Sequence, residues 1–262
     1  MNENIKEIVK EKYGTIAREV KEKKGCCCGS KKIVDYTIFS DDYNKLHGYS
    51  KEADLGLGCG LPTEYANLKK GDIVVDLGAG AGNDVFVARS IVGDTGKLIG
   101  IDMTDEMIIL ANQNKEKLGF TNVDFRLGEI EDLPVNQNST DVVISNCVLN
   151  LVPDKNKAFS EIHRILKNGG HFCISDIVLV GNLPVGLKKS AEMYAGCVAG
   201  ALQQDDYIGI IKTTGFKNVK IKQTKTVTIP NDILIKYLTE KQLSDYNNSR
   251  IGIFSITVVG EK

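Results

Sequence analysis

The chain has 262 residues, 42% of them hydrophobic, and a formal net charge of -1, so it has material for one large domain and its core. The near-zero charge, with no lysine or arginine run longer than KEKK, excludes the electrostatic footprint of a nucleic-acid or anionic-membrane binder and leaves a small molecule as the expected partner. The start is charged with no apolar leader segment, and no stretch reaches the ~18 apolar residues of a membrane span; a cytoplasmic protein is expected.

Ile5, Ile8, Val9, Tyr13, Ile16 and Val20 recur at helical spacing, which predicts an amphipathic helix ending before Gly25. From Cys26 to about Gly60 the sequence is irregular and rich in Gly, Ser, Asp and Tyr, as in a long arm laid over something functional. From Gly71 the apolar runs IVVDLG, KLIGID, VDFRLG, DVVISN and HFCISDIVLV alternate with helical patterns at Asp84 to Val92, Asp105 to Leu118 and Asp154 to Leu166. That alternation predicts an α/β fold with a mostly parallel sheet covered on both faces. Asn182 to Gln204 reads as a helical, small-residue-rich cap; KNVKIKQTKTVTIP, a short helix around Ile233 to Leu238 and the strand IFSITVVGEK complete the chain. The division expected is 1–66 for helix and cysteine-bearing arm, 67–180 for a cofactor-binding core and 181–262 for cap helices and the last two strands.

Strand IVVD runs into LGAGAGN and then a helix. Asp76, Gly78, Ala79, Gly80, Gly82 and Asn83 form a turn where the backbone can approach a ligand and a helix N-terminus offers free N–H groups. The dinucleotide fingerprint wants glycine where Asn83 stands, so the spacing suits a ligand without a pyrophosphate. Asp102 ends the next strand, where a carboxylate accepts the hydroxyls of a ribose, and an adenosine follows. Met103 and Met107 offer adaptable apolar contacts for its ring, although Met107 equally suits a core. Glu129 and Ile130 in GEIEDLP are placed for base recognition, and Asn146 joins the cofactor set. The order VVDLGAGAG, GIDMT, GEIEDLP, DVVISN resembles the class I S-adenosylmethionine-dependent methyltransferases, which implies a seven-stranded sheet with an antiparallel last strand and S-adenosylmethionine as cofactor.

The seven cysteines are an odd number, and a reducing compartment favours free thiols over a disulfide framework. No CxxC or Cys-His spacing of a structural zinc site is present. Cys59 in GLGCGLP, Cys147 in SNCVLN and Cys197 in YAGCVAG are flanked by small residues, and thiolates select soft, thiophilic centres. Cys173, within HFCISDI, reads as core. Of the histidines, His163 and His171 read as structural. SNCVLNLVPDK, GIDMTDEM, ADLGLGCGLP and YAGCVAGAL together resemble the arsenite S-adenosylmethionine methyltransferases. The resemblance implies that Cys59, Cys147 and Cys197 hold trivalent arsenic, and that a cysteine among Cys26, Cys27 and Cys28, with Cys27 and Cys28 favoured, is the redox partner of Cys59. A thiol reductant such as thioredoxin or glutathione is then required. The chain stops at its last strand, so the extra C-terminal domain of longer members is expected to be missing. Two other readings stay open: a carbon methyltransferase of quinone-biosynthesis type with incidental cysteines, and a thiol-rich metalloid-binding protein without catalysis.

Overall fold

The computed structural model describes residues 2–23, 43–182, 184, 200–228, 234–235, 237–248 and 251–262. Helix α1 (Asn2–Lys23) is followed, from the described residue 43, by a single 3-10 turn (Tyr43–Lys45) and irregular chain, then a four-residue helix α2 (Pro62–Tyr65). The core alternates as read from the sequence: β1 (Ile73–Leu77), α3 (Asn83–Val92), β2 (Lys97–Asp102), α4 (Asp105–Leu118), β3 (Val123–Leu127), β4 (Thr140–Asn146), a 3-10 turn (Leu149–Leu151), α5 (Lys155–Ile165) and β5 (Leu166–Val180). Then come β6 (Leu202–Gln203), α6 (Gln204–Thr213), β7 (Lys217–Thr226), α7 (Glu240–Asn247) and β8 (Gly252–Glu261).

One sheet runs in the order β3-β2-β1-β4-β5-β8-β7, with β6 paired to β5 off that path. Strands β1 to β5 are parallel, while β8 pairs antiparallel with both β5 and β7. The seven-stranded expectation thus needs one addition, the two-residue β6. The central strands are apolar on both faces because helices cover both: Val74, Val75, Leu77, Val142, Val143 and Ile144 are all buried. One face packs Phe159, Ile162, Phe172, Tyr207 and Phe216 from α5, β5, α6 and its C-terminal side. The other packs Ile16 and Ala17 of α1 with Phe86, Leu110 and Phe125.

Two boundaries differ from the sequence reading. The cap predicted to end at Gln204 has, at its described end, strand β6 and then the first residue of α6; of its other residues, 183 and 185–199 lie outside those described. Helix α7 was not expected, because none of its side chains is buried. Its start is fixed locally instead, by a capping box between Thr239 and Gln242 that satisfies the free N-terminal donors.

Candidate active site

The C-terminal ends of β1, β2, β3 and β4 open on one pocket of about 1090 Å³, its open mouth included, where ligands of such sheets bind. The turn after β1 forms its floor. Gly78 and Gly80 have φ of 71° and 50°, the left-handed region that costs residues with a Cβ. A Cβ on Gly78 would fall 2.3 Å from Val148, whereas one on Gly80 would meet no protein atom within 4 Å. The backbone there is bare toward the pocket. Asp102 fastens the turn: its carboxylate accepts from Gly80 N at 3.0 Å and from Thr104 N at 2.9 Å. The Thr104 side chain and the Met103 backbone add hydrogen bonds to the same carboxylate, so Asp102 braces the loop at the edge of the pocket. Burial raises its pKa, and those amides oppose the shift.

Around this floor stand Met103, Met107, Glu129, Ile130 and Asn146, together with walls the sequence did not disclose. Lys6, Val9 and Tyr13 of α1 line the pocket, as do Tyr43, Leu55, Leu57 and Asp84. Lys6 bridges Glu129 at 2.6 Å and Glu131 at 2.9 Å, which ties α1 to the loop after β3. Met107 is both things weighed for it, 1% exposed in the core and part of the pocket wall. Asn83 also lines the pocket, and its Oδ1 accepts from Ser50 N at 3.5 Å.

Asn146, besides lining the pocket, holds the protein together around it. Its Nδ2 donates to Tyr43 OH at 2.5 Å, Gly60 O at 2.8 Å and Asp84 Oδ2 at 3.1 Å, while its Oδ1 accepts from Cys59 N at 3.0 Å. Its amide groups are engaged by the protein, so it acts on the site by clamping the loop that carries Cys59. Tyr43 OH in turn donates to the Asp84 carboxylate at 3.0 Å. Burial pushes the Asp84 pKa up to about 6 against the hydrogen bonds from Asn146 and Tyr43. Asp76 is held well above the usual carboxylate range by burial and by the charges of Asp84 and Asp102. Three acidic groups around one apolar pocket repel one another and favour a positively charged ligand. S-adenosylmethionine, with its sulfonium and ammonium, fits that donor set and the open face of Gly80.

The thiols meet at the back wall. Cys147 follows β4 with φ of 61°, a left-handed conformation that costs a non-glycine residue on the order of 1–3 kcal/mol and is kept where the surroundings fix it. Here Cys147 N donates to Ser175 O at 2.8 Å, and the side chain is 3% exposed yet lines the pocket. Cys59, 88 residues earlier in the chain, is 1% exposed, with its backbone held by Asn146 and by the Ser255 hydroxyl, which donates to Cys59 O. The two sulfurs and a carboxylate oxygen of Asp176 all lie within 4.8 Å of one another. Val9, Leu151, Ile177, Leu179 and Ile253 surround the pair with apolar side chains. Asp176 was hidden from sequence reading inside the apolar run HFCISDIVLV. Burial pushes its pKa up to about 7, with the charge of Lys155 pulling the other way. Cys173 is core, as expected, its thiol pushed up to about 12 by burial. His171 Nε2 pairs with Ala66 O at 2.6 Å and His163 stacks edge-on to Phe216, both structural. Cys26, Cys27, Cys28 and Cys197 lie outside the described residues.

Residues 68–215 match a family model described as a methyltransferase domain. The chain is 40% identical over 230 residues to an arsenite methyltransferase of Halobacterium salinarum, covering 84% of this chain and 59% of that one. It is 30% identical over 238 residues to the arsenite methyltransferase of Mus musculus, covering 87% and 62% respectively. The chain therefore spans about six-tenths of the length of these curated relatives. Among solved structures, an arsenic(III) S-adenosylmethionine methyltransferase from Chlamydomonas reinhardtii superposes with a TM-score of 0.67 at 34% identity, over 78% of this chain and 67% of that one.

Proposed function

We propose, because this chain belongs to the arsenite methyltransferase family of class I S-adenosylmethionine-dependent enzymes, that it methylates trivalent arsenic held on cysteine thiolates. The observation that carries the reading is the convergence of Cys59 and Cys147 from distant segments, with Cys147 also lining the cofactor pocket. A carbon methyltransferase needs no such pair, and a mere metalloid sponge needs no cofactor floor.

S-adenosylmethionine supplies an electrophilic methyl on a sulfonium. Asp102 receives its ribose, Met103, Met107 and Ile130 pack its ring, and Asp76 and Asp84 offset its positive charge. Arsenite exchanges each hydroxyl for a thiolate, As(OH)₃ + 3 Cys–SH giving As(S–Cys)₃ + 3 H₂O, at Cys59, Cys147 and, on the family resemblance, Cys197. Thiolate-bound arsenic keeps a lone pair. Orienting that pair and excluding water are the devices this protein contributes, since positioning alone supplies much of the rate in a two-reactant transfer. Forming the As–C bond oxidises arsenic by two electrons; attack of a thiol of the 26–28 cluster on the arsenic-bound Cys59 sulfur returns them, forming the disulfide, breaking the As–S bond to Cys59 and releasing one proton. An external dithiol such as thioredoxin, or glutathione, reopens that disulfide by exchange. A reducing cytoplasm is the compartment this cycle requires.

Incubation with arsenite, S-adenosylmethionine and a thiol, followed by separation of the arsenic species, tests the reading. Cys147→Ser and Cys197→Ser should each abolish methylation of inorganic and monomethylated arsenic alike. Cys59→Ser should lose the first methylation and spare the second, because a monomethylated substrate needs only two thiolates. Full activity in Cys147→Ser would return the carbon-methyltransferase reading to first place.

A further inference from the structure

Three thiolates explain arsenite binding without any carboxylate, yet Asp176 sits fully buried beside the two sulfurs. A carboxylate taken out of water is costly unless hydrogen-bonded or charge-compensated. Asp176 Oδ1 accepts from Ile177 N at 3.0 Å and Oδ2 from Tyr207 OH at 3.2 Å. The backbone of Asn150 supplies a third hydrogen bond. Lys155 lies close enough to stabilise the charge, and its Nζ also donates to Asn150 O and Val152 O. Of about four acceptor sites on a carboxylate, three are filled, from β5, α6 and the 3-10 turn that carries Asn150. One carboxylate oxygen lies within 4.8 Å of both sulfurs.

Arsenite binds thiols stepwise. After two exchanges, As(OH)₃ + Cys59–SH + Cys147–SH gives an arsenic carrying both thiolates and one hydroxyl, with release of 2 H₂O. That hydroxyl is a hydrogen-bond donor placed beside the apolar side chains packed around the two sulfurs. We propose that Asp176 is a substrate-contacting residue whose carboxylate accepts the hydrogen bond of the arsenic-bound hydroxyl at this two-thiolate stage, retaining arsenite until the third thiol displaces the hydroxyl as water. The inference rests on the arsenic-methylating reading above. It assigns this side of the site a preference: inorganic arsenite keeps a hydroxyl after two exchanges, whereas an organoarsenical R–As(OH)₂ has none left.

That difference supplies the test. In a full-length chain with Cys26, Cys27, Cys28 and Cys197 replaced by serine, Cys59 and Cys147 form the two-thiolate site alone, and Cys173 stays in the core. Binding of sodium arsenite and of phenylarsine oxide is followed by the near-ultraviolet arsenic–thiolate absorption. Asp176→Asn in that background should weaken arsenite binding by about tenfold, the scale of one hydrogen bond to a charged acceptor, and leave phenylarsine oxide within about twofold. Tyr207→Phe removes the internal donor but keeps the carboxylate, so it should hold arsenite at least as tightly as the parent. Equal loss of both arsenicals in Asp176→Asn, an unchanged arsenite affinity, or the same selective loss in Tyr207→Phe would each overturn the proposal in favour of a purely structural Asp176. Failure of phenylarsine oxide to bind the parent would instead remove the thiol pair, and with it the proposed function.

Discussion

Asp102 has one observed job and one proposed, and that sets the outcome of removing it. Its oxygens hold Gly80 N and Thr104 N, so Asp102→Ala loosens the floor and removes the proposed ribose contact together. Titration calorimetry with S-adenosylmethionine should show binding weaker by about 2–3 kcal/mol or more, with arsenite binding preserved because the thiols lie on other segments. Unchanged donor affinity would take Asp102 out of the site. Asp176 carries a pH signature. Its folded pKa of about 7 stands above the ordinary 3.8, so the native state binds the proton more tightly than the unfolded chain. The cost of burying the charge is absent near pH 4, grows through pH 4 to 7 and is complete above 7. Asp176→Asn escapes that cost. Its Tm relative to the parent should therefore rise between pH 5 and pH 8 by about 5 °C or more, given about 2–4 °C per kcal/mol for a chain of this size; a gap independent of pH would contradict the shift.

At the level of elements, strands β1 to β5 and helices α3 to α5 were legible because hydrophobic period and glycine turns report local structure directly. Cys59 and Cys147 were legible as a pair only through their motifs; no local pattern tells that residues 88 apart share a wall. The role of α1 was not legible at all. Its apolar stripe announces that it packs on something, and the pocket it walls with Val9 and Tyr13 is assembled from residues far along the chain. Asp84 escaped notice because an acidic residue in the first turn of a helix is ordinarily a dipole partner, and Tyr43 because it lies in irregular chain. The wall makes a prediction. Val9→Asp puts a charge at a position 1% exposed and should weaken S-adenosylmethionine binding by more than about tenfold. Lys6→Ala breaks only partly exposed ion pairs, worth about 0–1 kcal/mol, so donor affinity should change by less than about fivefold in the same titration.

Across the whole molecule, β5 is the member on which both halves of the site depend. It carries Asp176, its Ser175 carbonyl fixes Cys147, and the face that bears Asp176 also buries Phe172 against Phe159 and Phe216. Phe172→Ala should cost about 3–5 kcal/mol, read as a lower urea midpoint, and S-adenosylmethionine at about 100 times its Kd should restore about 2.7 kcal/mol through binding to the folded state alone. A midpoint insensitive to the donor would mean that the pocket had collapsed with the core. The Ser255 hydroxyl on Cys59 O joins residues 196 apart, and β8, which carries that serine, pairs with β5 along ten consecutive positions. A growing chain therefore emerges from the ribosome with its cofactor turn complete well before Cys59 has an anchor, and the thiol pair becomes a defined chelator only once the closing strand has been made. On the proposed function, metalloid met before β8 is made would encounter separate thiols, so ordered capture by Cys59 and Cys147 waits on a strand far along the chain.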